Sequence, residues 1–160
     1  MTLTPGDIQV LARHPRTRSL RPLVAGDIEP VLQALPAHVP DPIRWWITEF
    51  GVIDIERPID SRPHLLLLGL SPSSTIDDDI MAFNRSNPTL PPGYLVFAHE
   101  FDGELDHVYA IDASGAVVRS IGFLFPSLEY KEEYATSTWE AASTDLEAFW
   151  RSKVRSYLED

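Results

Sequence analysis

The chain has no cysteine, which excludes disulfides, thiolate metal centres and cysteine nucleophiles from the outset. Long apolar runs are missing too. The longest, His64–Leu70, is far short of the roughly 20 residues that a membrane-spanning helix needs. The opening MTLTPGDIQV lacks the basic-then-apolar order of a secretory signal. These gaps predict a soluble, cytoplasmic protein. Catalytic signatures are equally scarce: G-x-S-x-G, G-x-x-x-x-G-K-[ST], G-x-G-x-x-G and H-E-x-x-H are all absent. No cofactor and no catalytic residue is expected.

Positive charge is the other scarcity. Thirteen Lys and Arg stand against 24 Asp and Glu, a net charge of −11. Residues 1–25 hold four arginines and one aspartate, a net of +3, so residues 26–160 carry −14. A body this acidic repels phosphate backbones, which argues against nucleic acid and for a basic protein partner drawn in by charge. It also serves solubility, and composition alone leaves both readings open. With 160 residues, 44% apolar and 10% aromatic, the chain suits one domain over 1–160 that buries about two-thirds of its unfolded surface.

The firmest local pattern lies in Leu90–Ser120. Three runs rich in Val, Ile, Phe and Tyr (Tyr94–Phe101, His107–Ile111 and Ala116–Phe123) are separated by Asp102-Gly103 and by the Asp112–Gly115 turn. Asp-Gly and Ser-Gly supply the residues that tight hairpins need, so the segment predicts a β-meander. Val52–Glu56 and His64–Leu70 read as two further strands, the second apolar on both faces. Tyr134–Ala141 reads as a last edge segment.

Helix signals frame these strands. Thr4-Pro5 opens a first helix, with Ile8, Leu11 and Ala12 on one face, and His14-Pro15 ends it. Residues 15–25 read as a basic surface loop or arm. Asp27 caps a second helix striped by Ile28, Val31, Leu32 and Leu35. Asp41–Phe50 is a third, with Asp41 as cap, Pro42 at the first position, and an apolar stripe of Ile43, Trp46, Ile47 and Phe50. Trp45 lies off that stripe, beside Glu49. Either it packs under a loop or against the N-terminal helices, or it anchors an interface. Ile76–Phe83 is a short helix with Asp77, Asp78 and Asp79 in its first turn. Thr144 and Glu147 form a T-x-x-E capping box before a closing helix, Asp145–Leu158, whose face is Leu146, Phe149, Trp150, Val154 and Tyr157.

One polar cluster stands out: His99, Glu100, Asp102, Glu104, Asp106 and His107 flank a hairpin turn. Neighbouring strand residues point to opposite faces, which speaks for a solvated acidic turn over a metal site.

Several short motifs recur in a familiar order. Val39–Gly51 looks like the layout L-P-x-x-[YF]-x-x-[FW]-L-x-x-x-[NF]-G-G, with Val52 where the second glycine usually stands. Gly103 and Asp106 fall near a glycine-rich turn and "G-D" pair. Ala110-Ile111-Asp112 resembles an "[LI]-D" strand end, Gly115-Ala116-Val117 a "G-x-V", and Ala142–Trp150 is similar to an "S-[FL]-x-[ED]-F" final helix. Together they resemble the SUKH superfamily of bacterial immunity proteins and fungal cell-wall-synthesis regulators, over residues 26–158. The resemblance implies an α+β fold, a mostly antiparallel sheet flanked by helices. It also implies a non-enzymatic role holding a partner protein, often a toxin of nuclease or deaminase type. Candidate partner contacts are Trp45, Glu49, Asp77, Asp78, Asp79, Glu100, Asp102, Glu104 and Asp106. A regulatory adaptor of the same fold is the alternative. A small-molecule binder or hydrolase with a pocket near the meander is a third reading.

Overall fold

A computed structural model describes residues 2–20, 28–56, 64–70, 79–85, 90–101, 106–120 and 139–159. Its frame is a seven-stranded antiparallel sheet in which each strand pairs with the next in sequence. The strands are β1 (Thr17–Leu20), β2 (Val52–Glu56), β3 (His64–Leu67), β4 (Leu95–Phe101), β5 (Asp106–Ile111), β6 (Val117–Ser120) and β7 (Trp139–Ser143). The helices are α1 (Pro5–Ala12), α2 (Ile28–Ala34), α3 (Asp41–Glu49) and α4 (Ile80–Arg85). A closing helix, α5, runs as Leu146–Phe149, a π-helical turn Trp150–Val154, and Arg155–Leu158. The architecture is α+β, and the meander at its centre is β4–β5–β6, as the three apolar runs predict.

Facing pairs across the ladders build the inner side of the sheet: Ile53 with Leu67, Leu65 with Glu100, Ala98 with Tyr109, and Ile111 with Val117. Phe97 sits at a bulge between Val96 and Ala98, and packs edge-on against Phe149 of α5 with centroids 5.2 Å apart. Trp46 of α3 is fully buried. It stacks on Trp150 at 6.2 Å and donates from its indole nitrogen to the Leu68 carbonyl at 2.8 Å. That stack brings α3 and α5 side by side. Asn84 of α4 occupies the bulge edge, its amide donating to the Val96 carbonyl and accepting from the Val96 N–H. In this way a side chain satisfies backbone groups that the ladder leaves open.

Several sequence expectations are corrected. Residues 15–25 are not wholly a loop: Thr17–Leu20 forms edge strand β1, paired with β2 from Thr17↔Ile55 to Leu20↔Val52. With one apolar residue, Leu20, among its four, no apolar period gives it away. Arg18 reaches Asp54 and Glu56, while the Arg16 guanidinium donates to the Tyr157 and Glu159 carbonyls at the end of α5, where a cation also suits the helix dipole.

The caps shift as well. Pro40, not Asp41, is the N-cap of α3, with no side-chain bond. At α5 the cap is Asp145, whose carboxylate accepts from Ala148 N–H at 2.8 Å, rather than Thr144 of the expected box. A complete capping box does form at α1, between Thr4 and Asp7. The α4 helix spans Ile80–Arg85, capped by Asp79, which accepts from Met81 and Ala82 N–H. The last strand is Trp139–Ser143; its expected residues 134–138 lie outside the described residues, as do 121–123, Asp27, 76–78 and the Asp102-Gly103 turn.

Candidate functional site

Two of the acidic candidates are turned inward by the fold. Asp79 is 5% exposed and spends its carboxylate on the start of α4. Glu100 is 4% exposed and lies under α5. Its Oε1 accepts from the Tyr109 hydroxyl at 2.6 Å and faces Lys153 Nζ at 3.3 Å, while Oε2 accepts from the Tyr157 hydroxyl at 2.5 Å. Burial alone would raise this carboxyl, but the two phenols and the ammonium outweigh it and hold it below the usual glutamate range. Burial, followed by the charge of Glu100, pushes the Tyr109 phenol far up. Glu100 is thus a carboxylate clamp between sheet and closing helix. A general acid needs a raised pKa, and this group has the opposite. The structure does not support its placement in an exposed, solvated hairpin end. Asp106 opens β5 opposite Phe101. Asp77, Asp78, Asp102 and Glu104 lie outside the described residues.

The two remaining candidates come together on α3. Trp45 is half-buried, packed partly on the core, and forms a wall shared by two surface grooves. One groove, of about 270 Å³, runs between Pro5, Ile8 and Gln9 of α1 and Arg44, Thr48, Glu49 and Phe50 beside Trp45. Its single cation is already engaged: the Arg44 guanidinium donates to the Leu32 and Pro36 carbonyls, both at 3.0 Å. The exposed Glu49 also lines it.

The second groove, of about 240 Å³, lies between the starts of α3 and α5. Pro40, Pro42 and Trp45 form one side; Leu146 forms the other, and Thr2 and Leu3 close it from the N-terminal segment. Gly115 of the β5–β6 turn also lines it. The surface is mostly apolar, yet Asp41, Asp145 and Glu147 all line it, and no lysine or arginine does. Among the described residues, Asp41, Glu49 and Glu147 enter no ion pair. On its other side Glu147 borders a smaller cleft with Arg151 and Arg155.

Sequence reasoning reached Trp45 and Glu49 but missed Asp41, Asp145 and Glu147 as site residues. Each reads locally as a helix-start residue. Only the Trp46–Trp150 stack, a tertiary contact, sets the two helix starts side by side. The signal available in sequence was Trp45 itself, an aromatic off the apolar stripe. No group of three or more metal-ligating side chains converges among the described residues. The chain matches no protein-family model, no curated protein and no solved structure.

Proposed function

We propose that this is a non-catalytic protein-binding domain of SUKH type, an immunity protein that holds a basic toxin domain and blocks its active site. The observation that carries the reading is Trp45: a half-buried indole between two grooves, one of them edged by three carboxylates and no cation. Interface hot spots are enriched in tryptophan seated among apolar walls, ringed by polar groups that exclude water. The net charge of −11 adds long-range attraction for a basic partner, felt in the association rate more than in the lifetime of the complex. Glu100, a buried acidic candidate, is engaged in holding the fold, which weakens a hydrolase reading.

The test is capture of partners from the native host by the tagged chain, wild type beside Trp45→Ala, with retained proteins identified by mass spectrometry. A basic toxin domain held near one-to-one by wild type, and lost or weakened at least about tenfold by Trp45→Ala, supports the reading. A housekeeping protein held through the same tryptophan favours the regulatory adaptor instead. A partner bound equally well by the variant refutes the assignment of this surface.

A further inference from the structure

We infer that the groove between the starts of α3 and α5 is a receptor for an arginine side chain of the bound partner, stacked on Trp45 and paired with the surrounding carboxylates. The inference rests on the protein-binding reading and names what this surface recognises. Two helix N-termini meet here, and on their own they would favour an anion, each contributing about half a positive charge. Asp41, Asp145 and Glu147 add three negative charges at the same place. The sum is about −2, so the site selects a cation.

Apolar walls select further. Pro40, Pro42, Leu146 and the Trp45 indole offer little to a compact, strongly hydrated ammonium. A guanidinium is planar and weakly hydrated. It stacks on an indole face while its in-plane N–H groups still donate to carboxylates around the edge. Asp145 already accepts from Ala148 N–H, and a carboxylate has further lone pairs for a second donor. Arg151 and Arg155 of this chain lie in the neighbouring cleft beyond Glu147, outside the groove lining.

The experiment titrates the full chain with a blocked Gly-Arg-Gly peptide, and with its citrulline counterpart of the same shape without the charge. The readout is the Trp45 indole N–H resonance, assigned with Trp45→Phe. The arginine peptide should shift that resonance saturably, and citrulline should leave it in place. Asp41→Asn with Glu147→Gln should weaken the binding roughly fivefold, and raising ionic strength from about 0.03 to about 0.5 M should weaken it further. These two substitutions avoid the Asp145 cap, so the fold is retained, and an unchanged unfolding midpoint verifies it. Equal responses to both peptides, or no response of Trp45 to arginine, overturns the inference. A captured partner that needs Trp45 but ignores the Asp41/Glu147 charges would sink this inference alone, leaving the protein-binding reading in place.

Discussion

Removing the Glu100 carboxylate should cost more stability than any other single polar change in the described core. In Glu100→Ala the Tyr109 and Tyr157 hydroxyls, now 2.6 and 2.5 Å from carboxylate oxygens, lose their acceptor, and both tyrosines are 1% exposed. A hydrogen bond to a charged partner contributes about 1.5–3 kcal/mol, and a buried donor left without an acceptor forfeits that benefit in full. Two such bonds put the loss at about 3–6 kcal/mol. Lys153 adds little, because its side chain is 32% exposed and its ammonium can turn into water. For a chain of this length the melting temperature should fall by about 10 °C or more. Urea unfolding followed by tryptophan fluorescence measures the difference directly. The reasoning carries its own control. Glu100→Leu combined with Tyr109→Phe and Tyr157→Phe removes the donors together with the acceptor, and should recover most of the loss. An alanine variant within about 1 kcal/mol of wild type would refute the clamp, and so would a triple variant no more stable than the alanine.

Other outcomes follow from the same geometry. Because folding holds the Glu100 carboxyl below its ordinary value, its contribution is present above the unfolded glutamate pKa and is lost as pH falls toward the folded one; Glu100→Gln should therefore flatten the acid limb of stability against pH, measured by urea midpoints from neutral to acid, and an unchanged slope contradicts this. Asp54 has the opposite sign: burial outweighs His64 and Arg18 and raises its carboxyl, so its contribution is lost as pH rises through that raised value. Asp54→Asn should then be neutral or slightly stabilising at pH 7, and a loss beyond about 1 kcal/mol contradicts it. Gly69→Ala should unfold the chain or cost about 3 kcal/mol or more, because a Cβ there would stand 1.8 Å from the Gly51 carbonyl oxygen, backbone that has no side-chain torsion to yield. A wild-type urea midpoint for this variant would mean that the two chain segments are farther apart than described.

The parts of the fold that follow local rules were legible. The meander showed through its turn residues, and the faces of α1, α3 and α5 showed through their apolar spacing: Leu146, Phe149, Trp150, Val154 and Tyr157 are all buried as the period requires. What escaped depends on partners distant in sequence. Leu95 to Glu100 are buried without a break on both faces of β4, and the bulge at Phe97 shifts its phase, so the two-residue period no longer says that Glu100 faces inward. A glutamate two residues before Asp-Gly therefore reads as a solvated strand end. β1 was missed because Thr-Arg-Ser-Leu has only one apolar residue; it is held by pairing to β2. The π-helical turn in α5 left no sequence mark, yet the face that it carries is the expected one.

Net charge tells a partner how strongly it is attracted, and the local engagement of each acid decides where it can bind. Among the described residues most acids already have work inside the fold. Asp7 and Asp145 cap helices, Asp79 caps α4, Asp112 accepts from Ser114 and Ala116 in the β5–β6 turn, Glu140 pairs with Arg119, and Glu100 clamps α5. Asp145 keeps lone pairs beyond its one cap bond, but the others engaged in this way are expensive to redirect toward a ligand, since the groups they satisfy would be left exposed or unpaired. Asp41, Glu49 and Glu147 carry no such obligation, and all three line grooves that share Trp45 or adjoin it. Among the described residues, three of the acids at liberty to meet a partner thus lie around the one off-stripe tryptophan. An arrangement made only for solubility would scatter them, because dispersed charge repels other molecules as well and repels itself less.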